Sequence, residues 1–447
     1  MIDKDGALAR CEELVALARK RGADAADAVA HGEASESVTI RLGQLEDVSR
    51  SESESVGLRV FVGKRSASIQ TSDFSAGSFT VLVDRALEMA RRAPEDAFAG
   101  LAPEELLMEG EAPDLDLADL DEPTPAQLRE AAAEAEDAAR AVPGVTNSNG
   151  GSAGGSRAVA ALVTSHGVSR ASEATGHSLS ASVIAGEGGA MQTDHAWRST
   201  RHRVDLPSPA DIGREAGERV VARLDPASIP SQAMPVVFDP RVGGGLLSHL
   251  LAGMSGAAVA RKASFLLGHE EQMLFDPAVR IVEDPLRPRG LASRAFDGEG
   301  LATTPRTLVE RGRIFGWLTN AAAARQLGAP LSGHASRGGG APGIAASNVY
   351  MEAGQPTPDA LIADIADGLY VTDLFGHGVN LVTGDYSRGA AGFRIVNGER
   401  AGPVAEITIA GNLLEMFQAL TPASDLTFHR VVNVPTLRID SMMVAGA

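Results

Sequence analysis

The chain changes character at residues 230–235, and this change constrains the fold more than any other feature of the sequence. Before it, helical periodicity alternates with short runs of alternating apolar and polar residues. After it, the sequence is rich in glycine and strand-like runs, with few helical stretches. The 447 residues are too many for one compact core, because single domains usually hold about 100–200 residues. We therefore predict two domains, residues 1–230 and 231–447.

Local signals predict the elements of both domains. Thr124-Pro125 and Ser208-Pro209 each place a capping side chain before a proline suited to the first helical turn. A Gly/Ser-rich run at 147–156 is interpreted as a turn. Besides the two capped helices, the predicted helices are 8–21, 80–92, 246–261, 320–327 and 358–367, and the predicted strands are 38–42, 56–62, 67–71, 158–164, 179–185 and 234–238.

An acidic stretch lies between these elements of the first domain. Residues 95–137 contain fifteen Asp or Glu against one arginine, Arg129. Such a stretch is either an acidic docking arm or a solvated connector followed by a helix. We favour a connector at about 95–123, because the Thr124-Pro125 cap marks the start of a helix directly after it.

Composition limits the classes of function. The formal net charge of −18 repels phosphate backbones and anionic lipid, and an aromatic content of 4% leaves few rings on which bases stack. No apolar run approaches the roughly 18 residues of a membrane span, and the start lacks the pattern of a secretory signal. The single cysteine, Cys11, fits a reducing compartment. We expect a cytoplasmic protein that binds neither nucleic acid nor membrane.

The segment 242–256, VGGGLLSHLLAGMSG, predicts a helix that glycines open. It contains one histidine, His249, flanked by Ser248 and followed at helical spacing by Gly253, and it contains no carboxylate. A zinc site needs three or four N, O or S ligands that converge on one point. A serine, an imidazole and a glycine do not supply them.

Further motifs follow this helix in a fixed order. With the helix, they resemble the TldD/TldE family, in which TldE is also called PmbA, and the resemblance covers nearly the whole chain. The TldE type is the closer match. The motifs are RKASFLL at 261–267, GHASR at 333–337, ASNVY at 346–350, GDYSRGAAGF at 384–393 and IAGNL at 409–413.

The resemblance implies that the metal-binding motif has degenerated. In TldD-type chains the matching helix reads His-Glu-x-x-x-His, so that Ser248 stands at the first histidine, His249 at the glutamate and Gly253 at the second histidine. TldD-type chains also take a metal ligand from a cysteine near the carboxyl end. The equivalent stretch here, 428–436, contains no cysteine.

The resemblance also implies a fold and a function. The expected fold class is α+β, with a mixed α/β amino-terminal domain and a larger, β-rich carboxy-terminal domain built as an antiparallel or barrel-like sheet. The expected function is that of the subunit without metal or catalytic residues in a TldD-TldE metallopeptidase, which cleaves unfolded or modified peptides with zinc held by the TldD-type partner. This chain shapes the substrate chamber, and a homodimer is the alternative assembly of the isolated chain. Its candidate chamber residues are His249, Arg261, His334, Asn348 and Tyr386.

Two other functions remain open. The family's older name, modulator of DNA gyrase, suggests a binding or regulatory protein that acts without proteolysis on gyrase or a toxin-antitoxin system. An independent hydrolase that uses Ser152 or Ser387 is the weakest alternative, because Ser152 lies in a GGSAG run without the strand-turn-helix context of a nucleophile elbow.

Two further patterns are explained without a metal site or a dinucleotide site. His195 and His202 have helical spacing, but nearby arginines oppose a bound cation. The glycine-rich segment 338–343 does not sit in the βαβ context of a dinucleotide site, and we interpret it as a mobile loop. Closure of this loop over a bound peptide beside His334 is the less favoured alternative.

Overall fold

The computed structural model describes residues 1–270 and 272–446. Its first part combines long strands with helices. In chain order the elements are α1 (Lys4–Lys20), β1 (Ala25–Arg41), β2 (Gln44–Val62), β3 (Arg65–Thr71), α2 (Ser78–Arg92), α3 (Pro125–Arg140), β4 (Val145–Thr164), β5 (Ser169–Ala185), β6 (Gln192–Thr200) and α4 (Pro209–Val221).

The six strands form one antiparallel sheet with the order β3-β2-β1-β4-β5-β6. Helices cover one face of it, α1 and α2 over one half and α3 and α4 over the other. The two-residue period of a strand explains how β1 serves both halves. Ala28 and Ala30 pack beneath α1 and α2, while Val38 and Ile40 pack beneath α3 and α4.

The predicted turn at 147–156 is wrong, because these residues form the first half of β4. They pair with β5 and, from Gly151 onward, also with β1. The packing of helix α3 against β4 explains the glycine at position 151. A Cβ added to Gly151 would lie 2.2 Å from the carbonyl oxygen of Ala132 in α3, so only glycine lets the helix lie this close to the strand. Gly151 therefore marks a close approach of helix and strand and not a turn.

The second part is mostly β structure with short helices. It contains β7 (Gln232–Phe238), α5 (Pro240–Gly253), α6 (Gly256–Ala260), β8 (Ile281–Glu283), β9 (Arg306–Glu310), β10 (Arg313–Ile314), α7 (Ala321–Leu327), β11 (Ala335–Ser336), β12 (Gly343–Ile344), β13 (Val349–Met351), α8 (Pro358–Ile362), β14 (Asp367–Phe375), β15 (Asp385–Val396), β16 (Glu399–Asn412), α9 (Leu413–Gln418), β17 (Leu420–Pro422), β18 (Val432–Asn433) and β19 (Leu437–Ala445). The predicted helix at 358–367 ends early, at Ile362, and the one at 246–261 divides into α5 and α6.

A closed barrel organises this part. The sheet order β16-β15-β14-β7-β19-β17 is completed by pairing of β16 with β19. Leu246, Leu247 and Leu250 of α5 lie in the same apolar core as Phe238 of β7 and Ile439 of β19. The α+β class with a barrel-like second part is confirmed.

The two parts meet at the uncovered face of the first sheet. Asp27 of β1 pairs with Arg59 of β2 at 2.8 Å and also with Arg337, which follows β11 in the second part. All three side chains are buried. The acidic connector also docks on both parts: the N–H of Met108 donates to the carbonyl of Gly300, and the Thr175 N–H to that of Leu117.

The connector is thus more ordered than the solvated segment that the sequence predicts. None of the helices within the described residues combines the length and apolar character needed to cross a bilayer.

Candidate functional site

Helix α5 presents the degenerate motif. The Asp239 carboxylate accepts the Arg241 N–H at its start, and Pro240 occupies the first turn. The leucines of this helix face the barrel core, whereas Ser248 is exposed on the other side. The Ser248 hydroxyl donates to the carbonyl of Gly244 at 3.0 Å. This bond is local to the helix, and within the described residues no hydrogen bond joins the Ser248 hydroxyl to a side-chain base.

His249 is half-buried and stands edge-on to Tyr386, with 6.2 Å between the ring centres. Burial, followed by the charge of Arg388, lowers the pKa of His249 from its ordinary value. Burial raises the pKa of Tyr386 to about 12. At neutral pH this pair is an uncharged imidazole beside a protonated phenol, which suits binding of neutral polar groups such as a peptide backbone.

Gly253 lies where the motif requires a second histidine, and the space beside it is filled. An added Cβ would lie 2.7 Å from a ring carbon of Phe265 and 3.0 Å from Leu266. Within residues 1–270 and 272–446, no three His, Cys, Asp or Glu side chains gather as metal ligands would. The residues of this chain therefore do not fit the zinc site that the motif forms elsewhere.

Two glycines of the same helix provide a matched test of this packing. We expect Gly253→Ala to lower the free energy of unfolding by about 1–3 kcal/mol, the usual cost of overpacking a core. Gly245 has nothing within 4 Å of an added Cβ, so Gly245→Ala should instead raise it by about 0.4–1 kcal/mol. Urea unfolding measures both changes, and equal effects of the two substitutions would contradict the packing argument.

His334 and Asn348 lie inside the second part. His334 Nε2 is 2.6 Å from Glu283 Oε2, and its Nδ1 is 2.8 Å from Ser332 Oγ. The Asn348 side chain accepts the Ala292 N–H and donates to Ser293 Oγ and to the Asp284 carbonyl. These hydrogen bonds give both side chains a structural role. That they line a substrate chamber stays a prediction.

Of the five predicted chamber residues, the structure brings His249 and Tyr386 together. Arg261 is exposed at the end of α6. The loop 338–343 joins β11 to β12 and packs against the first sheet, where a Cβ added to Gly57 would lie 2.3 Å from the Gly339 carbonyl. It is held in a domain contact, which differs from the predicted mobile loop.

The remaining sequence candidates have local partners. The Ser152 hydroxyl lies in the middle of β4 and contacts Thr39 at 3.3 Å. His202 Nε2 lies 3.1 Å from Asp116, while His195 is exposed beside Asp194, so the two histidines do not share a site. Ser387 lies in β15, and its N–H donates to the Gly378 carbonyl.

Comparison with known proteins places this architecture in the class of metallopeptidase folds. Models of the PmbA/TldA metallopeptidase match the chain in three stretches, domain 1 at residues 26–90, the central domain at 118–224 and the C-terminal domain at 231–446. The metalloprotease PmbA of Escherichia coli O157:H7 is 37% identical over 413 residues, 92% of this chain and 90% of that protein. A PmbA homolog of Haemophilus influenzae is 37% identical over 437 residues, 97% of this chain and 94% of that protein.

The chain belongs to the PmbA/TldD metallopeptidase family. Solved structures agree with this fold. A Bacteroides thetaiotaomicron protein described as a candidate modulator of DNA gyrase superposes with a TM-score of 0.90 at 26% identity and covers 100% of both chains. TldE of Thermococcus kodakarensis superposes with a TM-score of 0.86 at 22% identity over 97% of this chain and 99% of that one.

Proposed function

We propose that this chain is the metal-free subunit of a two-chain metallopeptidase whose TldD-type partner holds the zinc and cleaves unfolded or modified peptides. The filled space at Gly253 is the observation that carries the proposal. Even with histidine restored at that position, Phe265 and Leu266 would have to move before an imidazole reached a metal. The packing of the core, as well as the set of available ligands, therefore disfavours a metal site here.

The task left to this chain is to form part of the chamber that holds the peptide. His249 and Tyr386 support this role, because an uncharged imidazole and a phenol bind backbone amides without demanding a particular side chain. An extended peptide can also add to an exposed strand edge through main-chain hydrogen bonds, which give affinity with little sequence preference. A cytoplasmic location and a homodimer of the isolated chain stay predictions.

Two measurements test the proposal. Metal analysis of the purified chain should find no stoichiometric zinc, and the triple substitution Ser248→His, His249→Glu and Gly253→His should not introduce it. A flexible peptide should be cleaved by the TldD-type partner together with this chain, and not by this chain alone. Stoichiometric zinc with cleavage by the isolated wild-type chain would refute the assignment.

A second candidate function follows from the description of the Bacteroides relative as a candidate gyrase modulator. The net charge of −18 disfavours direct contact with DNA, so such a role would act through protein contacts. Gyrase retained by the tagged chain in cells that lack the TldD-type partner would support this function over the peptidase.

A further inference from the structure

An arginine-lined cleft runs between the two parts of this acidic protein. Its inner end has a volume of about 200 Å³ and its outer end about 580 Å³. Arg198, His429, Arg430 and Asn433 line both ends, so the two spaces adjoin each other. The outer space alone lies within the range of small-ligand sites, about 300–1,000 Å³.

Positive charge in the cleft exceeds negative charge. Seven arginines line it, and among the described residues the lining carboxylates are two, Asp205 and Asp239. Some of this charge is balanced. Arg198 and Arg219 share the Glu215 carboxylate, Arg241 pairs with Asp194, and Arg289 pairs with Asp116 and Asp205. The other lining arginines are Arg201, Arg287 and Arg430.

Two of these guanidinium groups are held by aromatic rings instead of by carboxylates. Arg430 lies 5.0 Å from the ring centre of Trp197, and Arg287 lies 3.7 Å from that of Phe428. Within residues 1–270 and 272–446, neither group hydrogen-bonds to or pairs with another side chain. A guanidinium stacked on a ring still directs its N–H donors sideways, where they can bind a carboxylate in bidentate fashion.

The charges in the cleft repel one another. Partial burial, followed by the charges of Arg198, Arg219 and Arg241, lowers the pKa of Arg430. An anion in the cleft would relieve this repulsion, and at physiological ionic strength the attraction acts within a Debye length of about 8 Å, so the distant negative surface opposes it little.

The cleft borders the degenerate helix. Gly244 lies one turn before Ser248, and a Cβ added to it would lie 3.2 Å from the carbonyl oxygen of Val432, a residue that lines the cleft. An extended peptide held at the Ser248 face would therefore have the cleft within reach of its neighbouring residues.

We propose that this cleft binds the carboxylates of an acidic peptide segment and so selects or orients peptides held by the chamber. The inference rests on the proposed function for its peptide ligand. Peptides with clustered Asp or Glu side chains are the substrates it favours.

Fluorescence anisotropy with the full isolated chain tests the proposal. A labelled hexaglutamate peptide should bind, with affinity that falls as salt rises, and the hexaglutamine counterpart should bind at least about tenfold more weakly. The double variant Arg287→Gln and Arg430→Gln should lose about tenfold or more in hexaglutamate affinity. The double variant Arg85→Gln and Arg92→Gln, an equal loss of two charges on the exposed face of α2 outside the cleft, should bind like wild type.

Several results would overturn the inference. These are equal affinity for the two peptides, unchanged binding by the double variant despite an unaltered melting temperature, or tighter binding of single-stranded DNA through the same two arginines. Loss of hexaglutamate binding on addition of the TldD-type partner would also overturn it, because the cleft would then be an assembly surface. The binding assay needs neither zinc nor cleavage, so its failure is distinct from failure of the proposed function.

Discussion

Replacing Asp27 with alanine is expected to lower the free energy of unfolding by about 3–5 kcal/mol, because it leaves two buried arginines without their shared carboxylate. Arg59 comes from the neighbouring strand of the first sheet and Arg337 from the second part of the chain. Glu299 lies 3.8 Å from Arg59 and does not replace Asp27, since burial raises its pKa and disfavours its charge. The substitution should loosen the contact between the two parts as well as the sheet.

The two tryptophans make this prediction measurable. Trp197 lies in β6 of the first sheet, and Trp317 packs against the core of the second part. Urea unfolding of single-tryptophan variants should show an earlier transition at both reporters in Asp27→Ala. Asp47→Ala, on an exposed stretch of β2, is the control and should change stability by less than about 0.5 kcal/mol. An unchanged Trp317 transition would show that Asp27 does not couple the two parts.

Local chemistry in the sequence was sufficient to predict the capped helices. Thr124 caps α3 through a reciprocal capping box with Gln127, and Ser208 caps α4 by accepting the Asp211 N–H. These signals act over three residues, so no knowledge of the fold is needed. The class of fold came from the resemblance of the ordered motifs to the TldD/TldE family, while the change of periodicity near residue 230 indicated the division into two parts.

Partners distant in sequence explain what the sequence did not reveal. Glu136 belongs to the acidic stretch, yet it is fully buried and accepts the N–H groups of Leu42 and Gly43 at the β1-β2 turn. Gly151 of β4 looks like a turn residue until helix α3 is placed over it. The Glu136 contacts join residues more than 90 positions apart, and the glycine contact depends on how α3 packs on the sheet, and composition encodes neither.

The candidate site was likewise predictable only in part, because some of its features depend on contacts between distant segments. The residue types at 248, 249 and 253 show directly that the metal ligands are missing. The filling of the space beside Gly253 by Phe265 depends on how the chain packs after α5. The arginine cleft was missed because residues from β6, α4, α5 and two loops of the second part contribute to it. Because its arginines are scattered along the sequence, no local pattern of charge indicates such a surface.

Removing the His334 side chain is expected to cost about 3–5 kcal/mol of stability, because it leaves the Glu283 carboxylate buried without its main partner. Both side chains are buried, and Glu283 also accepts the Ser347 N–H at 2.6 Å. Burial raises the pKa of Glu283, but the hydrogen bond and charge of His334, with the Ser347 N–H, outweigh it and leave the pKa below its ordinary value. A carboxyl group whose pKa is lower in the folded chain stabilises the fold at pH values above its pKa in the unfolded chain. This stabilisation is lost as the pH falls through the pKa of the folded state.

The pH dependence therefore provides a specific signature. The stability difference between wild type and Glu283→Gln should be constant near neutral pH and should narrow below about pH 4.3, where the carboxyl group of the unfolded chain protonates. His377→Gln, at an exposed histidine, should stay within about 0.5 kcal/mol of wild type in urea unfolding. Peptide cleavage by the folded fraction of His334→Ala, assayed with the TldD-type partner, should match wild type. A variant that stays as stable as wild type and loses cleavage would instead assign His334 to the substrate chamber.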